Sequence, residues 1–373
     1  MSIRTKVVSG GYTRLLRPIL FRSFHGDPEM IHEQMIRVLA APAFSAVART
    51  ALKFLISPQG RPTTVAGIDF PNRVGLAAGM DKDGHAVKAW APLGFGFAEV
   101  GTVTGQAQKG NDRPRVFRLP SSKALINRMG FNNDGAAALA KTLAAAGVYR
   151  GNNAAGIPIG ISIGKTKKVP LEAAIEDYLS ALTAVVPHAD YVAINVSSPN
   201  TPNLRKLQSE SALAELATEL TTLAANLGVR HRVNPVPLFV KIAPDLNWPA
   251  IDAILTTCET TGISGVIATN TTLSRDGIKR FERPVAAQTG GLSGRPLARR
   301  AREVVGYVTA HTSLPVIGCG GVMTPNDALA LFDVGASLVQ LYTGFIYSGP
   351  ALAVKINAFD LHRTGLSKQS KVI

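Results

Sequence analysis

Apolar residues recur along this chain with two different periods. Near the start, Tyr12, Leu15, Leu16, Ile19 and Leu20 follow a helical period, and Pro18 is expected to break or restart that helix. "DPEMIHEQMIRVL" predicts a second helix, with Asp27 as N-cap, Pro28 at the first helical position, and Ile31, Met35, Val38 and Leu39 on one face. Phe44, Val47, Ala48, Ala51, Leu52 and Leu55 make a third stripe, and "SPQGRPTTVAG" reads as the linker that follows. Residues 1–60 are thus expected to form a small helical domain with its linker. Its apolar faces either pack on the rest of the protein or lie on a membrane.

From there the period changes. Eight short apolar runs, at 73–78, 97–103, 157–163, 191–196, 237–243, 265–270, 314–320 and 338–342, read as strands. Helical patterns at 171–186, 209–226, 248–260 and 296–310 lie between them. Alternating strand and helix means a parallel sheet. Eight repeats predict a closed (β/α)8 barrel over residues 61–373, with an open doubly wound sheet as the alternative.

In such a barrel, chemistry gathers where the strands end. The first strand leads to "AGMDKDG" with Lys82, and the second to Thr102 and Thr104. The third brings Ser162 and Lys165; the fourth brings Asn195, Ser197, Ser198 and Asn200. Lys241 closes the fifth, and Thr269, Asn270 and Thr271 close the sixth. Gly320 and Gly321 follow the seventh; Tyr342, Thr343 and Gly344 follow the eighth. Backbone N–H groups at the last two strands suit a phosphate. Lys82 and Lys241 suit a phosphate, a carboxylate or a reduced flavin. "NRMGFNN" (127–133) carries three side-chain amides and no acid, which suits a ligand with both donors and acceptors, such as a cyclic imide. None of the seven histidines closely follows a strand, so no Ser–His–Asp hydrolase is expected.

Charge and composition add less. The formal net charge of +15 suggests an acidic partner, whether nucleic acid, an anionic membrane or a phosphorylated or carboxylated ligand. Five arginines and lysines precede the first acid, Asp27, so the start reads as a transit peptide or a segment resting on anionic lipid. The two cysteines, Cys258 and Cys319, lack metal-site spacing, so no metal is expected, and they suit a reduced, intracellular protein. No apolar run reaches ~18 residues, so no transmembrane helix is expected.

The stretches "GLAAGMDKDG", "GTVTGQAQKGNDRPRVFRL", "INRMGFNN", "INVSSPNTPNLR", "VKIAPDL", "ATNTTLSR", "GGLSGRPL", "IGCGGV" and "LVQLYTGFIYSGP" together resemble the dihydroorotate dehydrogenase family. The "DPEMIHE" helix resembles the membrane-associated, quinone-dependent class 2 of that family. The resemblance implies oxidation of (S)-dihydroorotate to orotate, the fourth step of pyrimidine synthesis, with FMN as cofactor and a ubiquinone-type quinone as acceptor. It implies Ser198 as the base for the C5 proton, with Ser197 structural. Asn127, Asn195, Asn200, Asn270, Thr271 and Lys82 would bind the substrate, and Arg128, Met129, Gly130 and Phe131 would line its pocket. FMN positions match Ala78, Gly79, Met80, Asp81, Lys82 and Thr102 in the first half of the barrel, then Ser162, Asn195, Lys241 and Thr269. Gly294, Gly321, Tyr342 and Thr343 complete the FMN set. His32, Arg118 and Tyr342 match quinone-site positions.

The family usually has Asn where this chain has Ser162, Gly where it has Asn203, and Asn where it has Thr166. Asn tolerates a left-handed backbone better than most residues, so the 200–205 loop is expected to keep its shape. The resemblance places the protein peripherally on the cytoplasmic face of a bacterial inner membrane, or alternatively on the mitochondrial inner membrane. Competing readings are a soluble fumarate- or NAD-linked dehydrogenase, an RNA-binding flavin barrel and a lipid-binding protein without chemistry. Aromatics make up 6 % of the chain and form no basic-aromatic stripe, so nucleic acid is not expected as a partner.

Overall fold

The computed structural model describes residues 8–41 and 60–369. The stripe from Phe44 to Leu55 lies outside the described residues. A π-helical turn, Tyr12–Leu16, leads into α1 (Arg17–Arg22), and α2 spans Pro28–Ala40. Pro18 therefore does not break the helix. Its missing N–H and its ring would disturb the turn before it, and that turn widens so that Arg17 N–H reaches back to Tyr12 O. Asp27 caps α2 as expected, its carboxylate accepting from Glu29 and Met30 N–H.

The hairpin β1 (Thr63–Val65) and β2 (Ile68–Phe70) comes next. The sequence pattern put part of this segment in a linker. In the structure Val65 and Phe70 are buried and pack on the side chains that fill the barrel. Then follow β3 (Val74–Leu76), β4 (Phe97–Val103), β5 (Val116–Leu119), β6 (Ala124–Asn127) and α3 (Ala136–Ala145). Next come β7 (Ile159–Ile163), α4 (Ala174–Val185), β8 (Tyr191–Asn195), α5 (Glu210–His231), β9 (Leu238–Ile242), α6 (Trp248–Thr260) and β10 (Gly265–Ala268). The chain continues through α7 (Arg283–Ala286), β11 (Gly291–Gly294), α8 (Ala298–His311), β12 (Val316–Cys319) and α9 (Pro325–Asp333). It closes with β13 (Leu338–Leu341), α10 (Thr343–Ser348) and α11 (Ala351–Gln369).

Strands β3, β4, β7, β8, β9, β10, β12 and β13 pair in parallel and close into one barrel, matching all eight apolar runs. After β3 two short 3₁₀ turns stand where the repeat would place a helix. The barrel is a packed core. Phe70, Phe97, Tyr191 and Phe239 meet edge to face, with ring centroids 5.3, 6.4 and 5.3 Å apart in turn. The strands beside them carry Gly75, Gly160 and Gly265. A methyl group on these would lie 2.2, 2.1 and 2.3 Å from the rings of Phe97, Tyr191 and Phe239. Large and small residues thus alternate around one layer, which seals the barrel below its mouth.

A second sheet stands at the mouth. β5 and β6 form a hairpin, and β11, from far along the chain, adds to β6. Leu119, Ala124, Ile126, Ala286 and Leu292 bury against one another under it. Helix α2 packs on β5, so the N-terminal helices rest on the rim of the barrel.

Candidate active site

Every barrel strand but β7 delivers residues at or just past its end to one cavity of about 270 Å³, close to the lower end for small-molecule sites. The cavity runs from the strand ends to the N-terminal helices. Leu20, Ile31, His32, Met35 and Leu39 line its outer part; Ser198, Asn200, Asn270 and Thr271 line its inner part.

A chain of amides and hydroxyls organises the inner part. Asn270 Nδ2 donates to Ser197 Oγ at 2.9 Å and to Asn195 Oδ1 at 3.2 Å. Asn195 Nδ2 donates to Thr102 Oγ1 at 3.0 Å, and Thr102 bonds Ser162 Oγ at 2.8 Å. Across the cavity Asn200 Nδ2 donates to Asn127 Oδ1 at 3.1 Å. Such mutual bonding fixes which way each amide points. Ser198 is buried, and its Oγ accepts from Asn200 N–H at 3.3 Å. Ser197 Oγ is bound into the network instead, donating to Asn195 Oδ1 at 3.1 Å. Asn203 has φ +59°, the left-handed conformation foreseen for it.

Two cations face this space. Lys82 is held down to about 8 by burial, against the attraction of Glu29. No acceptor among the described residues lies within hydrogen-bond distance of its Nζ. Burial also pulls on Lys241, but Glu99, at 3.3 Å, raises it on balance. His32 is pushed down to about 3 by burial and then by Lys82, so it faces the cavity as a neutral imidazole. Arg118 donates to the backbone oxygens of Phe21 and Gly26, and its guanidinium lies 4.4 Å over the Phe21 ring. Tyr342 lines the space between these groups and the barrel.

Of the residues singled out from sequence, the cavity gathers Ser198, Lys82, Asn127, Met129, Phe131, Asn195, Asn200, Asn270 and Thr271. It also gathers Ala78, Gly79, Met80, Thr102, Lys241, Thr269, Gly294, Gly321, Tyr342 and Thr343, together with His32 and Arg118. Four expected positions do not line it, and each has a physical reason. Asp81 turns into the core to accept from Trp90 Nε1 and Ala86 N–H, where burial raises it to about 6. Arg128 points away, bonding Gln288 and Pro114 O and stacking on Phe117. Gly130 has φ +70° with Asn111 packed where a side chain would begin. Ser162 stands behind Thr102, reaching the cavity through it.

Sequence reasoning missed Glu99, Gln340 and Ser293. Gln340 and Ser293 line the cavity; Glu99 lies behind Lys241 and Gln340. A lone acid inside the apolar run "FAEVGTV" was the signal for the first. It also missed how the rim is latched. Glu29 on α2 takes three hydrogen bonds from Arg115, the shortest 2.6 Å, and Arg115 Nη1 donates to Lys109 O and Asn111 O. Asn111 Nδ2 in turn donates to Asn200 O, beside Ser198.

Fold and site define a class: a (β/α)8-barrel enzyme with an amide-lined mouth roofed by helices. Residues 62–361 match the family model described as dihydroorotate dehydrogenase. A protein of Chloroflexus aurantiacus named dihydroorotate dehydrogenase (quinone) is 52 % identical over 92 % of this chain and 94 % of its own. One of the same name from Salinispora arenicola is 53 % identical over 91 % and 96 %. The crystal structure of DHODH from Eimeria tenella in complex with ferulenol superposes with a TM-score of 0.81, at 31 % identity, over 94 % of this chain and 96 % of that one. The chain belongs to the dihydroorotate dehydrogenase family.

Proposed function

We propose that this protein oxidises (S)-dihydroorotate to orotate and passes the electrons through FMN to a quinone, in pyrimidine biosynthesis. One observation carries the reading: a single cavity joins an amide-lined barrel mouth holding Ser198 to a helix-lined opening holding His32, Arg118 and Tyr342.

The residues present suit FMN. Lys82 and Lys241 supply positive charge, Thr102 and Thr269 hydroxyls, and Gly321 and Thr343 backbone N–H groups at the last two strands. Gln340 adds a buried acceptor, Oε1, that has no partner among the described residues. When bound, FMN supplies the two-electron acceptor that no side chain here provides.

The protein's own groups do the rest. Ser198 Oγ takes the C5 proton of the substrate. A serine is a weak base unaided; it accepts the C5 proton as its own hydroxyl proton passes to water, and the Asn200 N–H aimed at Oγ favours the alkoxide character that this loss develops. Asn127, Asn200 and Asn270, already oriented by one another and by Asn195, hold the ring. Lys82, charged below about pH 8, faces the substrate carboxylate. Asp81 and Ser162 act on the cofactor side only by holding neighbours in place; Arg128 and Gly130 shape the loop around the substrate.

Among the described residues no helix is long and apolar enough to cross a membrane. Leu15, Leu16 and Ile19 nonetheless point outward from the N-terminal helix, 68, 46 and 63 % exposed, beside exposed Arg14 and Arg22. This face suits an anionic membrane surface, from which a quinone would enter between the helices. Residues 1–60 serve as that membrane and quinone-access domain, and 61–373 as the catalytic barrel.

The test is a visible spectrum of purified protein before and after adding dihydroorotate without oxygen. A yellow protein that bleaches is expected. The Ser198→Ala protein should stay yellow and bleach 10²–10⁴ times more slowly. A yellow wild type that does not bleach would remove dihydroorotate as the substrate.

A further inference from the structure

Among the residues of the eight barrel strands, Glu99 on β4 is the one acid and Lys241 on β9 the one base. Glu99 is completely buried, just above the aromatic layer that fills the barrel. It takes hydrogen bonds from three strands: Lys241 Nζ at 3.3 Å, Tyr191 OH at 3.1 Å from β8, and Gln340 Nε2 at 2.7 Å from β13. Lys241 and Gln340 line the cavity; Glu99 and Tyr191 stand behind them. For stability alone, apolar side chains would serve as well as such a buried pair.

We propose that Glu99 is a positioning residue that sets, through Lys241 and Gln340, the charge and hydrogen-bonding face that the barrel floor presents to the cofactor. The proposal rests on the reading of this cavity as a flavin site. Two consequences of the geometry support it. Gln340 has its amide N–H₂ committed to Glu99, which leaves Oε1 without a partner among the described residues, so the floor offers an acceptor there. The Lys241 ammonium gives one of its three donors to Glu99 and keeps the others for a ligand. Burial disfavours that ammonium, and the Glu99 carboxylate more than offsets burial, so Lys241 stays charged while the pair stays neutral. The other titratable groups facing the pair are Tyr191 on β8, which burial raises well above its usual range, and Cys319 on β12, which burial also raises. Neither ionises near neutral pH. A floor built this way keeps one charge and one polarity across the working pH.

The experiment is a spectroelectrochemical titration of the FMN-loaded protein from pH 6 to pH 10, for wild type, Glu99→Gln and Glu99→Asp. Without the carboxylate, burial acts on Lys241 with its main offset removed and lowers its titration. The Glu99→Gln protein is expected to show a flavin potential more positive than wild type at pH 6, where an uncompensated cation favours the reduced form. It should converge on wild type as pH rises, with a break in slope that wild type lacks. Glu99→Asp should recover the wild-type profile. A Glu99→Gln profile parallel to wild type overturns the proposal. If Glu99→Gln does not fold, the Glu99→Gln/Lys241→Gln protein is measured. Recovery of folding and FMN binding supports the coupling, and failure of both proteins assigns Glu99 to packing and overturns it. Wild type that binds no FMN overturns the flavin reading itself, whereas FMN-loaded wild type beside an unchanged variant overturns only the role of Glu99.

Discussion

Single residues at the mouth divide into those that touch the cavity and those that hold the ones that do. Strand-end polarity revealed the first kind: Ser198, Asn195, Asn270, Lys82 and Lys241 all lie where an apolar run stops. The second kind was harder to read, because its signals are weak in one dimension. Asp81 sits one residue before Lys82, yet it turns into the core against Trp90. Glu99 lies 142 positions from its partner Lys241. A prediction belongs to this scale. Lys82 is held down to about 8 by burial, so it loses its charge as pH rises through that value. The neutral amine attracts a carboxylate less, so KM for dihydroorotate should rise from pH 7 to pH 10 in steady-state assays. Lys82→Met should have a high KM that no longer varies over that range. A wild-type KM flat to pH 10 would show that Lys82 does not meet the carboxylate.

Elements were more legible than residues. Strand runs bounded by turn residues marked all eight barrel strands, and the cap at Asp27 marked the start of α2. The roof over the mouth was not legible, since β11 pairs with β6 across more than 150 residues and no local period announces such a partner. Pro18 misled for the opposite reason: a local rule was read without the local remedy, a π-turn. The π-turn and α1 are split between two environments. Tyr12 bonds Ile346 O and Leu20 lines the cavity, while Leu15 and Ile19 face outward. What joins α2 to the rim is the buried Glu29–Arg115 pair, with side chains 4 and 6 % exposed. Removing one partner from a buried pair costs about 3–5 kcal/mol. Glu29→Gln should therefore lower the urea midpoint and expose residues 8–41 to protease, with quinone reduction impaired more than anaerobic bleaching. Equal loss in both half-reactions would mean that Glu29 acts through Asn111 and the Asn200 loop instead.

At the scale of the whole molecule, a sealed barrel, a roof and an apolar outer face give the cavity one polar end and one apolar end. The outer face makes its own prediction. Leu15→Glu/Ile19→Glu should lose co-sedimentation with anionic vesicles and turnover with a long-chain quinone, and should keep anaerobic bleaching by dihydroorotate. Unchanged vesicle binding would show that another surface meets the lipid. The amino-acid sequence by itself determined the strand–helix alternation, the barrel and the residue types at each strand end, because these follow from periods of two and 3.6 residues and from local turn chemistry. Tertiary structure alone decided which of those residues share a cavity, that Glu99 stands behind Lys241, and that Glu29 latches the helices to the Asn200 loop. Those outcomes depend on contacts between positions far apart in the chain, and the hydrophobic pattern that closes a barrel is silent about which buried polar groups will meet inside it.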